Sequence, residues 1–305
     1  MTAFVVVNLK AGHTLRDWPK IKLALESVFP LMQVAESRAH GQTAQLVRAA
    51  LKEGHLDIIA VGGDGTINEA VNGFFENGVP VSPDAVFGFV SSGTHCDFRR
   101  SLGIKPGYEA GIARLKQARI RHLDVGHVAC LSPKGEPVSR YFVNVASFGL
   151  SGRLAARLNR DGIARLFGFG FQAAMALLSW RPKRVRLFTD TGYDEIAGIT
   201  EVAVANGRWF GGGLRVAPQA EPGDGLFDIV VMAGAPRQHI LTAIKSWRGG
   251  TPPPDIALRQ VRAAHLTAAP TVETHGAVFV ETDGESVGLL PATFEILPGA
   301  LNLRC

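Results

Sequence analysis

Cysteine is scarce: the chain has three in 305 residues, Cys96, Cys130 and Cys305. An odd number without metal-ligand spacing argues against a disulfide framework and against a zinc site. It fits a reducing, cytoplasmic setting. No apolar stretch is long and clean enough for a convincing membrane-spanning helix. The start, Met1-Thr2-Ala3-Phe4-Val5-Val6-Val7-Asn8, lacks a basic segment and a cleavage site, so it reads as a first β-strand and not as a signal peptide. No Lys/Arg block is dense enough to read as a nucleic-acid tail, so no nucleic-acid partner is expected. There is no internal repeat and no low-complexity segment.

Glycine, by contrast, is plentiful. The 35 glycines exceed an average share of about 7% and follow no collagen period. They cluster in short runs, as loops do where backbone must approach a ligand closely. The net charge is +5, so the surface attracts anions: nucleotides, nucleic acid or acidic lipid. The apolar share of 46% and charged share of 19% are those of a globular protein with a sizeable core. The length suggests two domains.

Residues 1–120 alternate strand and helix. Strands are expected at 4–8, 33–36, 57–61 and 86–90, and helices at 17–29, 43–53, 67–75 and 109–116. That order predicts an α/β domain with a mostly parallel sheet, whose ligands bind at the carboxyl ends of strands. Residues 121–305 are expected to form a β-rich, sandwich-like domain, with the last strand free to return toward the first domain. Its expected strands lie at 123–130, 140–146, 184–190, 199–206, 226–232, 260–268, 277–281 and 293–297. Its helices are expected at 150–158, 165–179 and 237–247.

The strongest motif is Val61-Gly62-Gly63-Asp64-Gly65-Thr66-Ile67-Asn68-Glu69. Its glycines remove side chains where a polyphosphate would sit on backbone N–H groups, and the next helix offers its N-terminus. Thr66 can donate a hydroxyl; Asp64 can act through Mg²⁺ or order the loop. A second loop, Ser92-Gly93-Thr94-His95-Cys96-Asp97-Phe98, also follows a strand; Thr94 can bind phosphate and Asp97 can hold a metal or organise the nucleotide. A third stretch, Asn206 to Gly213, precedes Asp224-Gly225-Leu226-Phe227-Asp228. There the two acids either coordinate a hard cation with backbone carbonyls or open a hairpin. Asp283-Gly284-Glu285 is either a plain hairpin turn or a pair of carboxylates serving Mg²⁺ and an acceptor hydroxyl.

In their order and spacing these motifs, with the Asn8–Gly12 loop and Phe142 to Gly149, resemble the diacylglycerol kinase catalytic-domain family, which includes bacterial lipid kinases and sphingosine kinases. The resemblance covers nearly the whole chain. It implies an α/β nucleotide domain, a β-sandwich domain, and an active site drawing on both. It implies ATP bound by Asn8, Gly12, Ser37, Gly62, Gly63, Asp64, Gly65, Thr66, Ile67, Asn68, Thr94 and Asp97. It makes Glu285 the general base and Asp283 a partner of catalytic Mg²⁺. Asp224, with the Phe227 and Ile229 carbonyls, would hold a second, structural Mg²⁺. Two departures stand out: Asn8-Leu9-Lys10-Ala11-Gly12 replaces the usual Asn-Pro-x-Ser-Gly, and Cys96 stands where the family has Asn.

The apolar stretch Ile163 to Trp180 carries Phe167, Phe169 and Phe171 and is flanked by Arg153, Arg157, Arg160, Arg181, Lys183 and Arg184. It suits either acyl chains and anionic headgroups at a membrane surface or a crossover helix packed on the sandwich. The expected partner is thus a lipid substrate met peripherally at the inner membrane surface; a homodimer stays open. Two alternatives to a lipid kinase remain: a kinase of soluble substrates, as in nicotinamide-nucleotide kinases and phosphofructokinases, and a non-catalytic nucleotide-binding protein.

Overall fold

The computed structural model describes residues 2–93, 96–117, 119–160, 180–234, 237–251, 253 and 258–305. The chain divides into two compact units, Met1–Val125 with Pro298–Cys305, and Gly126–Leu297.

The first unit runs β1 (Thr2–Val7), α1 (Thr14–Glu26), β2 (Leu31–Glu36), α2 (Gln42–Lys52), β3 (Asp57–Gly62), α3 (Asp64–Gly73), the short β4 (Phe75–Glu76) and β5 (Val79–Pro80), β6 (Val86–Ser91), α4 (Asp97–Ser101) and α5 (Tyr108–Gln117). β2, β1, β3 and β6 are neighbours in that order and pair in parallel. The chain's end joins the same sheet, Asn302 and Leu303 pairing in parallel with Val86 and Phe87. Phe4–Val7 and Ile58–Val61 are buried throughout, as expected of strands covered on both faces. Ile21, Leu25 and Phe29 from the α1 region pack there with Ile112 and Leu115 of α5. Each such buried side chain contributes about 1.5–3 kcal/mol.

The second unit contains β7 (Ile120–Leu131, beginning in the first unit), β8 (Pro137–Phe142), β9 (Val145–Gly149), α6 (Leu150–Arg160), β10 (Lys183–Thr189), β11 (Asp194–Ala205), β12 (Phe227–Ala233), α7 (Arg237–Arg248), β13 (Leu258–Ala263), β14 (His265–Pro270), β15 (Phe279–Thr282) and β16 (Glu285–Arg304, ending in the first unit). Its main path is β13-β12-β11-β10-β14-β16, and β9 pairs on one side with β11 and on the other with β15. One face of these strands closes over Phe142, Phe148, Phe227 and Phe294. On the other face of β11 and β12, Ile240, Ala243 and Trp247 of α7 pack against Ala203, Ala205 and Val230.

Several boundaries differ from the sequence reading. The strand expected at 260–268 is two strands that turn at Ala264, β13 pairing with β12 and β14 with β10. The strand expected at 293–297 is the 20-residue β16. Pro291 and Pro298 hid its length; they fall between the stretches of β16 that pair with β15, β14 and β6. The span 140–146 breaks into β8 and β9, because the N–H groups of Val143, Asn144 and Val145 turn to Asp283. The helix expected at 165–179 lies outside the described residues.

Candidate active site

In unit 1 the loops that follow β1, β2, β3 and β6 lie at the carboxyl ends of parallel strands. α3 begins inside the glycine motif: Gly63 is its N-cap and supplies no side chain to the first-turn N–H groups. Thr66 folds back over the turn, so a Cβ on Gly62 would lie 2.4 Å from Thr66 Oγ1. Asn8 Nδ2 donates to that hydroxyl at 3.2 Å, and Lys10 N donates to Asn8 Oδ1 at 3.1 Å. Gly12, with a φ of 50°, lets the Asn8 loop turn back. His13 N then bonds Ser92 O at 3.0 Å, and the Thr14 and Ser92 hydroxyls lie 2.5 Å apart. Ser37 accepts a hydrogen bond from Thr43 Oγ1 at 2.9 Å. The structure therefore brings Asn8, Gly12, Ser37 and Gly62–Thr66 to one edge of one unit. Ile67 and Asn68 are only 1% exposed and Thr66 4%, so these side chains are buried and the partly open stretch of the motif is Gly63 to Gly65. Thr94 lies outside the described residues.

The acids around this edge are already engaged. Asp64 accepts from Asp97 N at 3.0 Å and Phe98 N at 3.2 Å, so it caps α4. Cys96 is buried beside the same carboxylate, with its thiol placed to donate to it. Burial pushes Asp64 up to about 6 despite those hydrogen bonds, and burial beside Asp64 raises the Cys96 thiol as well. Asp97 accepts from Arg100 at 2.8 Å. Glu69 accepts from Gly41 N at 2.8 Å and Thr43 N at 3.2 Å, which anchors the N-terminus of α2.

In unit 2 Asp283 adopts a φ of 48° and turns its carboxylate onto Val143 N, Asn144 N and Val145 N at 3.2, 3.2 and 3.0 Å. Asn144 O in turn accepts from Asn206 N and Gly207 N, so the 206–213 stretch is tied to the same turn. Its glycine run is a small loop closed by paired Phe210 and Leu214 backbone bonds. Glu285 is half-buried, and its carboxylate makes no hydrogen bond or ion pair with a described residue. Behind it the buried Glu281 accepts from Gly284 N at 2.7 Å and lies 2.5 Å from Ser147 Oγ. Ser147 meets Ser151, which meets Glu201. Burial drives both Glu201 and Glu281 well above the usual carboxylate range. The sequence reading missed these four residues; the signal was Glu281 in the otherwise uncharged strand Phe279-Val280-Glu281-Thr282.

The Mg²⁺ assignments meet a poor fit. Asp224 accepts from Leu226 N at 3.1 Å and is ion-paired with Arg262, whose guanidinium also lies 3.7 Å from Asp228. A guanidinium already fills the place of a cation there. Phe227 and Ile229 lie in β12, where Ile229 is paired with both β11 and β13 and Phe227 with β13. Asp64 and Asp283 each spend their carboxylate on backbone N–H groups. Among the described residues no group of three His, Cys, Asp or Glu could hold a metal ion.

Comparison with known proteins gives two family matches. Residues 2–128 match the diacylglycerol kinase catalytic domain, and residues 144–305 match the YegS C-terminal NAD kinase beta sandwich-like domain. The chain is 26% identical over 280 residues to a protein of Mycobacterium tuberculosis (strain H37Rv) named "Diacylglycerol kinase", covering 90% of this chain and 84% of that protein. It is 26% identical over 266 residues to a Pseudomonas aeruginosa protein named "Probable lipid kinase YegS-like", covering 87% and 81%. A crystal structure of a diacylglycerol kinase from Bacillus anthracis str. Sterne superposes with a TM-score of 0.73 at 21% identity, over 99% of this chain and 96% of that one.

Proposed function

The chain belongs to the diacylglycerol kinase catalytic-domain family, and on that premise we propose that it transfers the terminal phosphoryl group of ATP to a lipid hydroxyl, diacylglycerol being the first acceptor to try. The observation that carries this reading is the Gly62–Thr66 turn. It combines an N-terminus of α3 with no side-chain cap, a hydroxyl folded over the turn, and Asn8 holding that hydroxyl. Backbone N–H groups and the helix dipole there suit the phosphates of ATP. Phosphoryl transfer asks little more of a protein than positioning, charge neutralisation and a base for the attacking hydroxyl. Of the acids in the 281–285 turn, Glu285 alone has no partner among the described residues, which suits it to take that proton. Mg²⁺ enters the proposal only as part of the MgATP substrate.

A lipid acceptor brings the protein to a membrane surface. The net charge of +5 favours anionic headgroups, and among the described residues no helix is long and apolar enough to cross the bilayer. Labelled ATP with diacylglycerol in mixed micelles tests the reading. Label on the lipid is expected; label only on an added sugar or dinucleotide overturns it. Glu285→Gln should lower transfer by a factor of at least ~100 while ATP binding persists; unchanged turnover removes Glu285 as the base.

A further inference from the structure

The mechanism so far leaves four polar residues of unit 2 without a task. Glu281 on β15 stands directly opposite Ser147 on β9. Ser147 Oγ lies 2.5 Å from Glu281 Oε1 and 2.5 Å from Ser151 Oγ in the first turn of α6. Ser151 Oγ donates to Glu201 Oε1 on β11, and Ser151 N donates to Glu201 Oε2 at 2.9 Å. At its other end the chain reaches the turn that carries Glu285, through Gly284 N to Glu281 Oε2 at 2.7 Å.

The contacts fix how this chain is wired. Three oxygen–oxygen contacts link Glu281, Ser147, Ser151 and Glu201. Each needs a proton, and the two serines supply only two. The third sits on a carboxyl, because two bare oxygens at 2.5 Å repel. Glu201 accepts backbone N–H at the N-terminus of α6, where the helix dipole favours an anion. Glu281 is then the donor, giving its O–H to Ser147 and keeping Oε2 for Gly284 N. The surroundings leave no slack. A Cβ on Gly152 would lie 2.1 Å from Phe279 O, and one on Gly149, whose φ is 126°, would lie 2.6 Å from Thr200 O. α6 is pressed onto β15 and β11 at the point where the chain crosses.

We propose that Glu281, Ser147, Ser151 and Glu201 are positioning residues that lock the Glu285 turn to the N-terminus of α6. The proposal rests on the reading of Glu285 as the base. Glu281 holds the backbone one residue before Glu285, so slack in the chain becomes displacement of that carboxylate. A displaced base slows transfer without changing how lipid or ATP is held.

The test compares Ser147→Ala, Ser151→Ala, Glu281→Ala, Glu281→Gln and Glu285→Gln in steady-state kinetics, with thermal unfolding as the check on folding. The alanine variants should lose at least ~10-fold in kcat with lipid KM within about twofold of the parent. Glu281→Gln should recover most of what Glu281→Ala loses, because its amide donates to Ser147 while its carbonyl accepts from Gly284 N. Normal kcat in folded Ser147→Ala and Ser151→Ala, or no recovery by Gln, overturns the proposal. Should an alanine variant not fold, the Gln variant and the remaining serine still decide it. An inactive Glu285→Gln beside normal serine variants sinks the lock alone; an active Glu285→Gln sinks the base assignment and the lock with it.

Discussion

Both units fix their loops with acids, but unit 1 uses acids singly and unit 2 links them. In unit 1 Glu69 reaches the start of α2 and Asp64 the start of α4. In unit 2 Asp283 gathers three N–H groups, and Glu281 and Glu201 are joined through two serines. A single acid at a helix N-terminus restrains one element. A joined pair restrains several at once. On the proposed reading, the acids of unit 1 hold helix starts beside the nucleotide loops, whereas in unit 2 Asp283 and Glu281 hold the turn that precedes Glu285.

The largest effect should come from breaking the most crowded carboxylate. Asp283→Ala leaves Val143 N, Asn144 N and Val145 N without their acceptor. Each N–H left without a partner costs on the order of 1 kcal/mol or more, so a loss of about 3 kcal/mol is expected. That corresponds to a fall of roughly 10 °C in thermal midpoint for a unit of this size. A midpoint unchanged by the substitution would show that the turn holds itself, and the contrast between the units would collapse.

Asp64 should act more mildly and with a pH signature. Its folded pKa of about 6 lies above the ordinary 3.8. The folded state therefore binds the extra proton between those values, and stability from this group is present at low pH and is lost as pH rises through about 6. Asp64→Asn carries no such titration. Its stability relative to the parent should rise by at most about 3 kcal/mol between pH ~4 and ~6, then level off. Urea titrations of both proteins across that range read the difference; a flat difference refutes the burial of this carboxylate.

The sequence made the elements legible where periodicity was undisturbed and the chemistry legible where glycine forced it. The apolar runs before Asn8 and Gly62 announced buried strands, and Gly62-Gly63 announced a close approach of backbone. It was silent on direction. Asp64, Glu69 and Asp283 stood beside loops and read as ligands or markers, yet each spends its oxygens on N–H groups distant in sequence. Which donors a carboxylate meets depends on strand register, and Pro291 and Pro298 concealed the register of β16. Arg262 lies 38 residues from Asp224, so no local pattern tied it to the expected cation site.

Cys96 offers the finest test of the single-acid design. It stands where the family usually has Asn, and its thiol lies beside Asp64 as a weaker donor than an amide would be. Cys96→Ala removes the donor and leaves a small gap, so a loss of about 1 kcal/mol is expected. Cys96→Asn keeps a donor in nearly the same volume and should match the parent within about 0.5 kcal/mol, with ATP affinity equal or higher. Urea unfolding and nucleotide titration read both variants. If alanine were neutral and asparagine costly, packing rather than the hydrogen bond would govern this position, and Asp64 would hold α4 without help from its neighbour.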